Sequence, residues 1–269
     1  MRRADLIPLA LLCVLAVTVG TLTVTTRPPA ASPAPDPPDS PATRVASSAP
    51  LTADPPTARG HSFGDVNLET RRSTLPPPDF DPDDVRRRMS YGAGGTYILP
   101  MVEEDSGLAR WPDRSVDPIR VWVEPTSQLP DWRAEYVTAA RLAFARWTGA
   151  GVPVQVKFLV DSAEAEVRVL WTDRFPDSRI GSTRRIRDQH WWLVAADLTL
   201  AIHGSNGMPL EPEVVTATAI HEVGHLLGLN HSPDTADVMA PRHHGINTPS
   251  GADVATARLL YSLPPGRLR

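Results

Sequence analysis

The stretch HEVGHLLGLNH, residues 221–231, sets three imidazoles and one carboxylate at a spacing that suits a single divalent metal ion. His221 and His225 are four residues apart, so on a helix they share a face and both reach one ion. Glu222 falls beside that face, where its carboxylate serves a metal-bound water rather than the metal itself. His231 cannot join from a continued helix: six residues past His225 it would stand about 9 Å further along the axis and point elsewhere. Zinc–nitrogen bonds measure about 2.0–2.1 Å, so the chain must stop and turn back. Gly228 stands where that turn is needed, and glycine accepts a left-handed helix end without a Cβ penalty. The spacing therefore asks for a helix, a break and a returning third ligand.

A metal held this way could be purely structural. Structural zinc sites are usually closed by four protein ligands, often cysteines, whereas three histidines leave a position open for water. The open set with its adjacent glutamate favours catalysis by one Zn2+ ion, with His221, His225 and His231 as ligands and Glu222 as general base.

These residues fit the pattern HExxHxxGxxH at every defined position, and Met239 follows His231 by eight residues in HSPDTADVMAP. On them the chain resembles the metzincin metallopeptidases, and by Ser232 and the methionine spacing it resembles their matrixin branch, which includes the matrix metalloproteinases. IRVWVEP, AFARWTGAG and VAADLTLAI are similar to the first strand, first helix and last strand of a matrixin catalytic domain. The likeness covers roughly residues 116–263. It implies an α+β fold, a twisted five-stranded, mostly parallel sheet with about three helices. It implies a zinc-dependent endopeptidase in which Met239 forms an apolar floor beneath the histidines. It also implies an edge strand that lines the cleft and pairs with an extended peptide. Thr183, Arg184, Arg185, Ile186 and Arg187 are expected to form that edge, and Pro241, Arg242 and His243 to border the pocket beyond the cut bond. The three arginines would bias the cleft towards acidic peptides or, as the favoured reading, guard an exposed edge from aggregation. The chain departs from the pattern in two places. Ala240 precedes Pro241 where a tyrosine is usual, and only a short run lies between Trp171 and Thr183, where matrix metalloproteinases carry a second zinc and calcium. His190 and His203 are accordingly expected to be turn or surface histidines.

The elements that must hold this site are legible from residue 118 onward. Ile119–Val123 alternates as a strand. Asp131 is a plausible N-cap for a helix to about Thr148, in which Val137, Ala140, Phe144 and Trp147 recur at helical spacing. Val154–Leu159 and Glu166–Trp171 read as further strands, and Thr183–Arg187 with Trp192–Ile202 as a hairpin turning at Asp188–His190. Glu211 and Pro212 open the zinc helix, proline being favourable in a first turn. A last helix starts near Thr248–Pro249 and runs to about Tyr261.

Upstream the chain changes character. Leu6–Val24 is apolar and uncharged behind Arg2 and Arg3, close to the ~20 residues that span a bilayer. Residues 1–26 are thus a signal peptide or a membrane anchor. The length and the want of a clear cleavage site favour an anchor, with the catalytic part outside the cytoplasm. Of the thirty-one residues 27–57, ten are proline, and residues 27–78 are expected to be a disordered linker. Residues 79–115 form an extension, with a short helix capped by Asp81 and a glycine turn leading to an extended piece at TYILPMV. The peptidase-like domain is placed at 116–264.

A net charge of −4 without a basic block gives no reason to expect nucleic acid. The only cysteine, Cys13, lies in the apolar N-terminal run, so the folded part has no intrachain disulfide and no cysteine with which to block a zinc ion. The expected activity is hydrolysis of protein or peptide substrates by a monomer that is membrane-anchored or secreted. The alternative is a non-catalytic, zinc-containing peptide-binding module on the same fold, which would have no use for Glu222.

Overall fold

A computed structural model describes residues 67–242 and 245–269. The apolar segment 6–24 and most of the linker lie outside the described residues, as does His243. No helix among the described residues is long and apolar enough to cross a membrane.

Two short helices open the described chain after a strand, β1 (Asn67–Thr70): α1 (Pro82–Gly92) and α2 (Ile98–Asp105). The Asp81 carboxylate caps α1, accepting from the backbone N–H of Asp83 at 2.9 Å, with Pro82 in the first turn as expected. The extended piece expected at TYILPMV is instead α2. Pro100 is its third residue, where a missing N–H leaves no helical bond unmade.

The remaining elements are β2 (Gly107–Leu108), β3 (Arg114–Val123), α3 (Glu135–Gly149), β4 (Val154–Leu159), β5 (Val167–Thr172), β6 (Gly181–Arg187), β7 (Leu193–Ala201), α4 (Pro212–Leu226), α5 (Gly251–Ser262) and β8 (Gly266–Arg267). The main sheet runs β1-β6-β7-β5-β3-β4, every pairing parallel except β6–β7. β2 and β8 form a separate antiparallel pair. The architecture is mixed α+β, with a mostly parallel sheet as expected.

Three expectations need correction. The sheet has six strands, not five, because β1, within the expected linker, adds itself in parallel to β6. Residues 67–78 are tied down beyond that strand as well. Ser73 donates its hydroxyl to Asp188 at 2.5 Å, and the Trp192 indole donates to the Pro76 carbonyl at 2.9 Å. Asp131 is not the cap of α3, which begins at Glu135. It sits at φ 60°, its carboxylate 3.2 Å from His203.

The core lies between the sheet and the helices. Ile119, Val121, Val167, Val169, Leu198 and Leu200 from alternate strand positions meet Tyr136, Ala140, Ala143, Phe144 and Trp147 of α3, all buried. α4 shares this core, and the Trp147 indole donates to the Ile220 carbonyl at 2.8 Å. The N-terminal extension belongs to the same core, since Val85, Ile98, Met101, Leu108 and Trp111 are buried in it.

Candidate metal centre

α4 carries His221, Glu222 and His225 on three of its last six residues, and all three side chains are fully buried. The helix stops because Gly228 takes φ 107°, a region that favours glycine. A Cβ there would also stand 2.4 Å from the Ala109 carbonyl oxygen, so the turn is both left-handed and closely packed. The chain then brings His231 back. Ligand-capable atoms of His221, His225 and His231 lie within 4.8 Å of one another, and the three rings are 4.6–5.3 Å apart. No other such group of three occurs among the described residues.

The histidine tautomers are set by backbone. His221 Nδ1 is 2.7 Å from the Val238 carbonyl and His225 Nδ1 is 2.9 Å from that of Leu229. Each Nδ1 therefore donates, which leaves Nε2 as the lone-pair nitrogen a metal requires. His225 Nε2 and Glu222 Oε1 are buried atoms with no hydrogen-bond partner among the described residues. Such atoms are costly unless something completes them. Burial, with His221 and His231 alongside, holds the His225 imidazole well below its ordinary range and hence neutral, the form that ligates. Imidazole nitrogens converging on one point fit zinc.

Glu222 is held from the sheet side. The Thr183 hydroxyl lies 2.6 Å from Oε2, while β6 at Gly181 passes so near the carboxylate that a Cβ would meet Oε1 at 2.5 Å. Burial pushes the carboxyl up to about 8, against the Thr183 hydrogen bond and the Arg179 charge.

The end of α4 is pinned by side chains that sequence reasoning did not single out. The Trp111 indole donates to the Leu226 carbonyl at 2.9 Å, and the Tyr261 hydroxyl to that of Leu227 at 3.0 Å. These are orphan carbonyls of a helix C-terminus, which need partners when buried. Arg185 lies beneath them, 1 % exposed. Its guanidinium donates to the Asn230 side chain at 3.1 Å and approaches the His225 carbonyl at 3.5 Å and Asp105 of α2 at 3.4 Å. The methionine turn is fixed in the same manner. Asp253 accepts from the Val238 N–H at 2.9 Å and from the Tyr97 hydroxyl at 3.0 Å, so the carbonyl that orients His221 is itself anchored. Met239 is fully buried, its thioether against Gly224 of α4.

The structure brings Thr183 to Glu222 but turns the arginines away from a free cleft edge. Arg184 pairs with Glu69 at 3.0 Å and with Asp197, Arg185 is internal, and the Arg187 guanidinium stacks 3.6 Å over the Trp191 ring. Ile186 is buried, whereas Pro241 and Arg242 are exposed beyond the methionine turn. His203 is not at the surface as expected: it is buried, with Asp173 2.7 Å from its Nδ1.

The matrixin family model matches residues 124–262, more than half of the 269-residue chain. The chain belongs to the matrixins. No curated protein matches it. As matrixins are zinc peptidases, typically extracellular, membership makes hydrolysis of peptide bonds the general activity of this fold. The match begins at Glu124, just past the end of β3, so Tyr97, Asp105 and Trp111, which brace this matrixin's histidine centre, all lie upstream of it.

Proposed function

We propose that this matrixin is an active zinc endopeptidase whose centre is His221, His225 and His231 around one ion, with Glu222 as general base. The observation that carries this reading is the buried Glu222 Oε1, without a hydrogen-bond partner among the described residues, beside three converging imidazoles. A binding module would gain nothing from burying that carboxylate, because an uncompensated one is expensive.

Zinc, when bound, supplies Lewis acidity that makes a water nucleophilic and polarises the substrate carbonyl. The protein's own part is proton handling and position. Thr183 holds Oε2 at 2.6 Å, leaving Oε1 to take the proton from the attacking water. Glu222 then passes that proton to the leaving amine. Nδ1 bonds to Val238 and Leu229 keep His221 and His225 from rotating away. The peptide pairs with β6 over Gly181–Thr183 as an added strand, and Pro241 and Arg242 border the pocket on the other side. The apolar segment 6–24 carries the enzyme out of the cytoplasm, as an anchor or a signal.

An unbiased peptide library tests this reading. The purified protein is expected to cleave internal bonds, to lose cleavage with a chelator and to recover it with zinc. Cleavage that persists in the chelator and in His225→Ala would overturn the assignment.

A further inference from the structure

We propose that β1 closes one end of the peptide-binding edge, so that the site engages only about three substrate residues on that side of the cut bond. This rests on the reading of the chain as a peptidase that binds substrate along β6.

β6 has two halves with different neighbours. Gly181 and Thr183 stand against Glu222, and among the described residues no strand pairs with Gly181–Thr183 on the side away from β7. From Arg184 to Arg187 that same side is taken, residue for residue, by Asn67–Thr70. Among the described residues, a peptide added along β6 thus meets no neighbouring strand over Gly181–Thr183, beside the general base, and meets Asn67 after three positions.

The obstruction is fastened rather than merely adjacent. Arg71 N–H donates to the Arg187 carbonyl at 2.7 Å, extending the ladder, and Glu69 pairs with Arg184 at 3.0 Å. Leu68 packs against the core. Beyond the strand, Ser73 holds Asp188 and exchanges bonds with the Gln189 side chain at 3.1 Å, while Trp192 holds Pro76. Phe80 then fills the space beside Gly266. A peptide that displaced four strand residues would also strain these downstream bonds, so β1 acts as a wall. The substrate class this selects is peptide cut close to one end, or chain with a bend or terminus shortly after the cut bond on the β1 side.

The test is a length series. Peptides of one core sequence are extended residue by residue from the cut bond, at each end separately, and kcat/KM is measured with the full-length protein. At one end the gain is expected to stop after about three residues. In Leu68→Asp and Glu69→Arg, which loosen β1 from the core and from Arg184, longer peptides are expected to regain about fivefold or more, since two further strand pairs become available. Amide exchange at residues 67–70 is followed in Glu222→Gln with a saturating long peptide, and protection is expected to persist. Continued gain in the wild type at both ends, identical profiles in wild type and variants, or loss of protection on binding would each overturn the wall. Binding of the same series to Glu222→Gln separates this from the peptidase reading. A length limit in binding without any hydrolysis by wild type would sustain the wall and sink the enzyme, whereas absence of both would sink the two together.

Discussion

Glu222 depends on a single hydroxyl for its orientation. Thr183→Val keeps the volume of that side chain and removes the bond at 2.6 Å, so the carboxylate loses its only fixed partner among the bonds it makes at Oε2. We expect kcat/KM to fall roughly tenfold with zinc content unchanged, the loss belonging to an interaction of about 1–3 kcal/mol. Steady-state kinetics beside elemental analysis separates this from loss of the metal, and unaltered kinetics would show that Thr183 is only filling space. Arg185 acts one step further out. Its charge is buried against Asn230 and the His225 carbonyl, so Arg185→Met removes a desolvation cost along with the bonds. Global stability should therefore change little, while zinc affinity falls about 10–100-fold because the loop that returns His231 is no longer tied to the helix end. Competition with a chelator reads this directly, and an unchanged affinity would remove Arg185 from the set of positioning residues. None of this was visible in the sequence. Arg185 stands in a run of basic residues that reads as a guarded edge, and its partners lie 80 and 45 positions away.

Elements with a local signal were legible, and those decided by distant partners were not. α4 announces itself through Pro212, the apolar run and Gly228, and its observed limits agree with that reading. The φ of 107° at Gly228 and the 2.4 Å approach to Ala109 make the break hard to replace. Gly228→Ala is expected to cost about 3 kcal/mol, from left-handed strain with backbone overlap added, and to lower the denaturation midpoint accordingly. A midpoint within error of wild type would mean that the loop relaxes freely. β1 gave no such signal. NLET is four residues without alternation, and its partner strand is more than a hundred residues downstream, so only the folded sheet defines it. Asp131 misled for the opposite reason. It is a good capping residue, yet its carboxylate is taken by His203, and α3 starts uncapped four residues later.

At the scale of the molecule, the family resemblance locates the chemistry but undercounts what holds it. Tyr97, Asp105 and Trp111 reach from the upstream extension to Asp253, Arg185 and the end of α4, and β8 at Gly266–Arg267 pairs with β2 past the other boundary. An isolated segment 116–264 would lose all of these. It is expected to be unfolded or to retain no stoichiometric zinc, whereas the full chain is expected to hold about one ion, in line with a single site. A cooperative thermal transition and full zinc in the short segment would show the extension to be dispensable. The central claim, that Glu222 serves the chemistry and not the metal, is tested most directly by Glu222→Gln in the full chain. Zinc content and peptide hydrolysis are measured on the same preparation. We expect one zinc per chain to remain while hydrolysis falls by about 10²–10⁴-fold, the usual contribution of a general acid–base group. A variant with normal zinc and near-normal cleavage would contradict the account.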